Sequence, residues 1–254
     1  MNRTISRLWA SRGLQAPLLR YSILTGEGLL KFGVFNRRMT TMLVFGTSTT
    51  YGAWDTEGGW VQRLRRYLDE KQLSNPQLYY MVYNLGISGD TSDGIFKRIA
   101  FETEQRLALK DKGEDVIILI SAGVNDAIYN NKTGKHHVPL ETYGENVKKI
   151  IRIAKTYTKH VIFVSSKPID EPRVDPIPWL KDCSYKEADI EQYDKKTAEV
   201  CARQTVPFMD IYHPLKKLPH YQKLFPDGVH LNNEGHQKIF EIVKDELVRL
   251  KLIP

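Results

Sequence analysis

Four short stretches of this chain hold residue types suited to acyl-transfer chemistry. In order they are Gly46-Thr47-Ser48, Asn84-Leu85-Gly86-Ile87-Ser88-Gly89, Gly123-Val124-Asn125-Asp126 and Asp227-Gly228-Val229-His230. Ser48 is the candidate nucleophile. A serine hydroxyl attacks poorly unless a neighbouring base takes its proton. His230 can do so with one ring nitrogen, while Asp227, three residues earlier, accepts a hydrogen bond from the other and sets the tautomer. Attack on an acyl carbon builds a tetrahedral oxyanion that needs donors already in place. The candidate donors are the backbone N–H of Ser48, the N–H of Gly86 and the side-chain amide of Asn125. Gly86 permits close backbone approach, and Asn125 donates without adding charge. Tyr51 and Trp54, just past the nucleophile, are candidates for the substrate-lining wall.

Each stretch alone is ordinary turn chemistry. Their value comes from the elements that place them. Short apolar runs at Met42–Phe45, Tyr79–Leu85, Val116–Ile120, Val161–Val164 and Val206–Met209 predict strands. Helical spacing of apolar residues predicts helices over Gly59–Glu70, Ser92–Leu109, Leu140–Tyr157, Tyr185–Arg203 and Asn233–Leu250. Val116–Ile120 is a continuous β-branched and leucine run, as suits a parallel strand covered on both faces. Strands alternating with helices mean βαβ units. The expected architecture is a three-layer α/β/α domain with five parallel strands. Ligands in such sheets bind at the carboxyl ends of the strands, where the first three stretches fall. Pro168, Pro172, Pro176 and Pro178 argue against regular structure after the fourth strand and put a loop at the border of the site.

With these residues in place the chain resembles the SGNH hydrolases, the GDSL-type esterases and lipases. Their four marker residues match Ser48, Gly86, Asn125 and His230, with Asp227 completing a triad, and the resemblance runs from about Val44 to about Gly235. It implies a flavodoxin-like five-stranded parallel sheet and a serine acyl-transfer mechanism with no metal and no cofactor. The family usually has Gly-Asp-Ser at the first stretch; here Thr47 stands where that carboxylate would be. The resemblance implies a bracing role for the missing acid, not a catalytic one. The Gly-x-Ser-x-Gly elbow of the other common serine-esterase fold is absent, because Thr50 occupies its last position. The expected activity is hydrolysis of a small or medium carboxylic ester through an acyl-enzyme on Ser48. The alternatives are a metal-dependent phosphoesterase built on Asp227, His230, Asn125 and Asp126, and a non-catalytic binding module on the same fold.

The remaining residues narrow the partners. The 254 residues carry 37 basic and 30 acidic groups, which alone would suggest nucleic acid. Seven of the basic groups but only one acid, Glu27, lie in residues 1–41, so residues 42–254 hold 30 against 29 and are nearly neutral. No nucleic-acid partner is expected. The arginine-rich leader, residues 1–41, reads as a dispensable extension or a mitochondrial transit peptide preceding a hydrolase domain at 42–254. The expected location is cytoplasmic, or mitochondrial if the leader is a targeting segment. No run reaches the ~18–20 apolar residues of a membrane span. Cys183 and Cys201 read as free thiols, with a disulfide between them the alternative. Asp126 reads as a local brace, Trp60 as core and His136-His137 as a solvated pair. His160, His213, His220 and His236 read as structural or surface residues. The basic helix faces around Arg63, Arg65, Arg66, Lys148, Lys149 and Arg152 read as solvated.

Overall fold

The computed structural model describes residues 38–108 and 114–254. Most of the basic leader, and Leu109 at the expected end of one helix, lie outside the described residues. The first half runs β1 (Arg38–Gly46), α1 (Ser48–Tyr51), α2 (Gly59–Ser74), β2 (Leu78–Gly86), α3 (Ser92–Leu107) and β3 (Asp115–Ile120). Two short strands, β4 (Tyr129–Asn130) and β5 (Lys135–His136), lead into α4 (Leu140–Tyr157) and β6 (His160–Val164). Then come α5 (Glu171–Val174), β7 (Cys183–Ser184), α6 (Glu187–Arg203), β8 (Phe208–Met209), α7 (Tyr212–Lys216) and α8 (Asn233–Arg249).

Five strands form one parallel sheet in the order β2-β1-β3-β6-β8. After β1 the chain winds first to one side and then to the other, so the carboxyl ends of β1 and β3 flank the switch point where such folds open a crevice. Side chains alternate between two cores, as a strand's period of two requires. Leu43 and Phe45 of β1, with Ile118 and Ile120 of β3, pack with Ile95 and Ile99 of α3, Val147 and Ile151 of α4 and Ile190 of α6. Met42 and Val44, with Ile117 and Leu119, pack with Trp60 and Leu64 of α2 and Ile239 and Val243 of α8. These are the three expected layers.

Four details differ from the sequence reading. β1 begins at Arg38, not Met42, and Thr40 and Thr41 are buried. Thr40 and Thr41 extend the buried part of the strand with polar side chains, which an apolar run does not mark. The proline-rich segment holds one helical turn, α5, with Pro172 in the first turn where its missing N–H costs nothing. It ends in β7, which closes a small antiparallel sheet in the order β5-β4-β7. Arg63 is not on a solvated face: it is 6% exposed and forms an ion pair with the buried Asp55. His136 is not a solvated residue either, because the β4–β5 hairpin folds it onto α6, with Nε2 3.1 Å from Asp189 Oδ2. Cys183 and Cys201 are buried free thiols. Among the described residues no helix is long and apolar enough to cross a membrane.

Candidate active site

Ser48 opens α1, a single helical turn placed directly after β1. Thr47 is its N-cap in extended backbone but contributes no side-chain capping bond. The first N–H groups of a helix have no intrahelical acceptor, which leaves the Ser48 N–H available. The turn is locked against β2 by Asn84, whose Nδ2 donates to the carbonyls of Thr50 at 2.8 Å and Tyr51 at 3.4 Å. Gly86 makes that docking possible: a Cβ there would stand 2.2 Å from the Tyr51 nitrogen.

That packing also revises the role expected of Gly86. Its N–H donates to Asn84 Oδ1 at 3.0 Å and is not free for an oxyanion. Farther along the same turn, Gly89 has φ +78° with open space where a Cβ would be, and Ser88 lines the cavity below. Among the described residues the Gly89 N–H has no acceptor.

Asn125 follows β3 and is oriented from both ends. Its Nδ2 donates to the Asp90 carbonyl at 2.8 Å and its Oδ1 accepts from the Tyr185 hydroxyl at 3.0 Å. One amide N–H remains to aim elsewhere. Asp126 is a brace: both carboxylate oxygens accept the Ser92 N–H, at 2.9 and 3.1 Å, at the start of α3. Burial raises its pKa to about 6 against the opposing hydrogen bonds from Ser92.

Asp227 and His230 meet. His230 Nδ1 lies 2.7 Å from Asp227 Oδ2, while Asp227 Oδ1 accepts the N–H groups of Val229 at 3.0 Å and His230 at 2.7 Å. Burial alone would raise the Asp227 pKa. The bonds from the His230 ring and backbone, with those from Trp54 and Val229, outweigh it and hold the carboxyl well below the usual range. The Trp54 indole Nε1 donates to Asp227 Oδ2 at 2.6 Å. His230 lines a cavity of about 630 Å³ together with Tyr51, Trp54 and Ser88, and with Nδ1 bound to Asp227 its Nε2 is the nitrogen left to act. Trp54 meets the imidazole edge-on at 5.3 Å and Trp179 lies over it at 6.4 Å. Tyr51, on the helical turn that begins at Ser48, lines this cavity, but among the described residues no hydrogen bond joins the Ser48 hydroxyl to the His230 ring.

Two contributors, Tyr185 and Lys167, escaped the sequence reading, while His236 takes the structural role expected of it. Tyr185 holds Asn125; burial, then the charge of Asp227, raises its phenol pKa far above normal. Lys167 is fully buried, donates to the Val229 carbonyl inside the Asp227–His230 turn and lies 5.2 Å over the Phe225 ring. Burial lowers its pKa to about 7, with Asp227 opposing. His236 Nε2 pairs with the Ala53 carbonyl at 3.1 Å and so ties α8 to the loop before α2. Neither Tyr185 nor Lys167 has a local pattern that marks it. Among the described residues no group of three or more His, Cys, Asp or Glu side chains could share a metal ion.

The GDSL-like Lipase/Acylhydrolase family matches residues 44–238, all four stretches included. The chain belongs to that family. As a GDSL-type member it is a carboxylic ester hydrolase. It is 27% identical over 159 residues to the GDSL esterase/lipase CPRD49 of Arabidopsis thaliana, a match covering 59% of this chain and 60% of that protein. It is 23% identical over 210 residues to the isoamyl acetate-hydrolyzing esterase 1 homolog of Homo sapiens, covering 78% of this chain and 77% of that one. The GDSL fold itself is shared with a lipase/acylhydrolase from Enterococcus faecalis at TM-score 0.62 and 20% identity, over 82% of this chain and 94% of the other. It is likewise shared with Axe2, an acetylxylan esterase from Geobacillus stearothermophilus, at TM-score 0.60 and 22% identity, over 82% and 93%.

Proposed function

We propose that the protein is a serine esterase that hydrolyses small or medium carboxylic esters through an acyl-enzyme on Ser48. The observation that carries this reading is the Asp227–His230 hydrogen bond at 2.7 Å, with the imidazole lining a cavity shared with Tyr51 of the helical turn that begins at Ser48. His230 Nε2 takes the Ser48 proton as Oγ attacks the acyl carbon, and Asp227 stabilises the imidazolium that forms. The Ser48 N–H and the free amide N–H of Asn125 receive the oxyanion, and Gly89 supplies the third donor in place of Gly86. His230 then protonates the departing alcohol. A water whose proton passes to the same nitrogen attacks the acyl carbon, the acyl–Oγ bond breaks, His230 returns the proton to Ser48 Oγ, and the acid leaves.

Proton transfer requires the Ser48 hydroxyl and His230 Nε2 to come into hydrogen-bond contact, and catalytic hydrogen bonds commonly tighten only when substrate is bound. Three of the exposed large apolar residues belong to this cavity: Tyr51 and Trp54 line it and Trp179 stacks on His230. A rim of that kind favours an ester with an apolar acyl or alcohol part. Ser48→Ala is expected to lower kcat on a nitrophenyl ester by roughly 10⁴–10⁶-fold and to abolish labelling by a fluorophosphonate. Undiminished turnover by the alanine protein would remove the reading.

A further inference from the structure

The carboxylate of Asp227 receives one donor more than the Asp-x-x-His turn itself supplies. Oδ1 accepts the N–H groups of Val229 and His230, and Oδ2 accepts His230 Nδ1. The fourth donor is Trp54 Nε1 at 2.6 Å, from 173 residues away. A carboxylate offers about four lone-pair positions, and here all four are filled.

Trp54 is built into this position. Its φ of +67° is a conformation that bulky residues rarely adopt, and it persists only where the surroundings over-determine it. Both flanks are anchored. Ala53 is held through its carbonyl by His236. Asp55 is bound by Arg63 and accepts the N–H groups of Glu57 and Gly59. Asn233 Nδ2 donates to Thr56 Oγ1 at 2.7 Å. Gly59 approaches Gly52 so closely that a Cβ on it would lie 2.4 Å from the Gly52 Cα. The indole itself is 61% exposed, so burial does not hold it there. What its one polar atom touches is the acid of the acid–base pair.

We infer that Trp54 is a positioning residue for the Asp227–His230 pair. Its N–H fixes the plane of the carboxylate and withdraws part of its negative charge from the imidazole. This rests on the serine-esterase reading above. Without that donor the carboxylate is more basic and stabilises the His230 imidazolium more strongly. The base is then harder to deprotonate, and the acid limb of kcat/KM moves to higher pH. The other ionisable groups facing the pair are Lys167 beneath the turn and Tyr185 beside it, with Asp55, Arg63 and His236 behind the Trp54 loop.

The test measures nitrophenyl butyrate hydrolysis from about pH 5 to about pH 9. Trp54→Phe keeps an aromatic ring and loses the donor. It is expected to lower kcat about tenfold, with KM nearly unchanged, and to move the acid limb up by about half a pH unit. Trp54→His can place Nε2 where the indole nitrogen stands. It is expected to recover most of kcat when assayed above about pH 8, where the new ring is neutral. A Trp54→Phe protein that changes only KM, with an unmoved acid limb, overturns the inference. So does a Trp54→His protein no better than Trp54→Phe, which also decides the matter if the phenylalanine protein is unstable. Ser48→Ala and Asp227→Asn run alongside: wild-type turnover by either overturns the serine-esterase reading itself, whereas inactivity of both with a normal Trp54→Phe overturns only the role of Trp54.

Discussion

At the scale of single residues, the site works by using up the polar capacity of side chains that must not move. Asn125 has its oxygen held by Tyr185 and one amide hydrogen by the Asp90 carbonyl, so the remaining hydrogen points in one direction. Asn125→Ala is expected to cut kcat by about 10²–10³-fold. Tyr185→Phe frees the amide to rotate and is expected to cost about tenfold in kcat at unchanged KM, read by steady-state assays on one ester. A second buried acid has no part in this chemistry. Asp194 accepts the Ser166 N–H at 2.8 Å on Oδ1, while Oδ2 is buried without a hydrogen bond. Burial raises its pKa from 3.8 to about 7. The folded state therefore holds a proton that the unfolded chain has lost, and stability falls as pH rises from about 4 through about 7. Asp194→Asn removes that dependence. Its melting temperature is expected to exceed wild type at about pH 8 and to approach it at about pH 4, a difference that thermal unfolding at the two pH values measures.

At the scale of elements, the loop from Gly52 to Gly58 is held by a buried ion pair rather than by apolar packing. Arg63 on α2 binds Asp55, and its Nε donates to Gln237 of α8 at 3.0 Å. One residue therefore joins the loop and the two helices of one sheet face. Arg63→Leu leaves the Asp55 carboxylate buried and unpaired. The expected cost is about 3 kcal/mol in urea unfolding, with a loss of kcat as Trp54 leaves Asp227. Helical spacing alone put Arg63 with its solvated neighbours Arg65 and Arg66. The acid that pairs with it stands eight residues earlier in a loop, outside any periodic pattern. The α4 stripe of Tyr143, Val147, Ile150, Ile151 and Ala154 was legible for the opposite reason: burial against a sheet imposes a period, and the period is local.

At the scale of the whole molecule, the strand order brings the carboxyl ends of β1 and β3 side by side. Ser48 follows β1 and Asn125 follows β3, with the Asp227–His230 turn coming just before α8. β1 lies between β2 and β3 and pairs with β2 along its full length from Arg38 to Gly46. A chain beginning at Met42 loses four of those paired positions, including buried Thr40 and Thr41. It is expected to unfold at lower temperature than a chain beginning at Arg38, as circular dichroism on the two proteins would read. The sequence alone determined the alternating elements, the three-layer architecture, the family and the Asp227–His230 pair, because periodicity and three-residue spacing are written in neighbouring residues. Only the tertiary structure decided which donors are free. It withdrew the Gly86 N–H, committed Tyr185 to Asn125, buried Lys167 beneath the turn and brought Trp54 to Asp227. Those contacts join residues far apart in the chain, and no local propensity encodes which lone pair a distant side chain will fill.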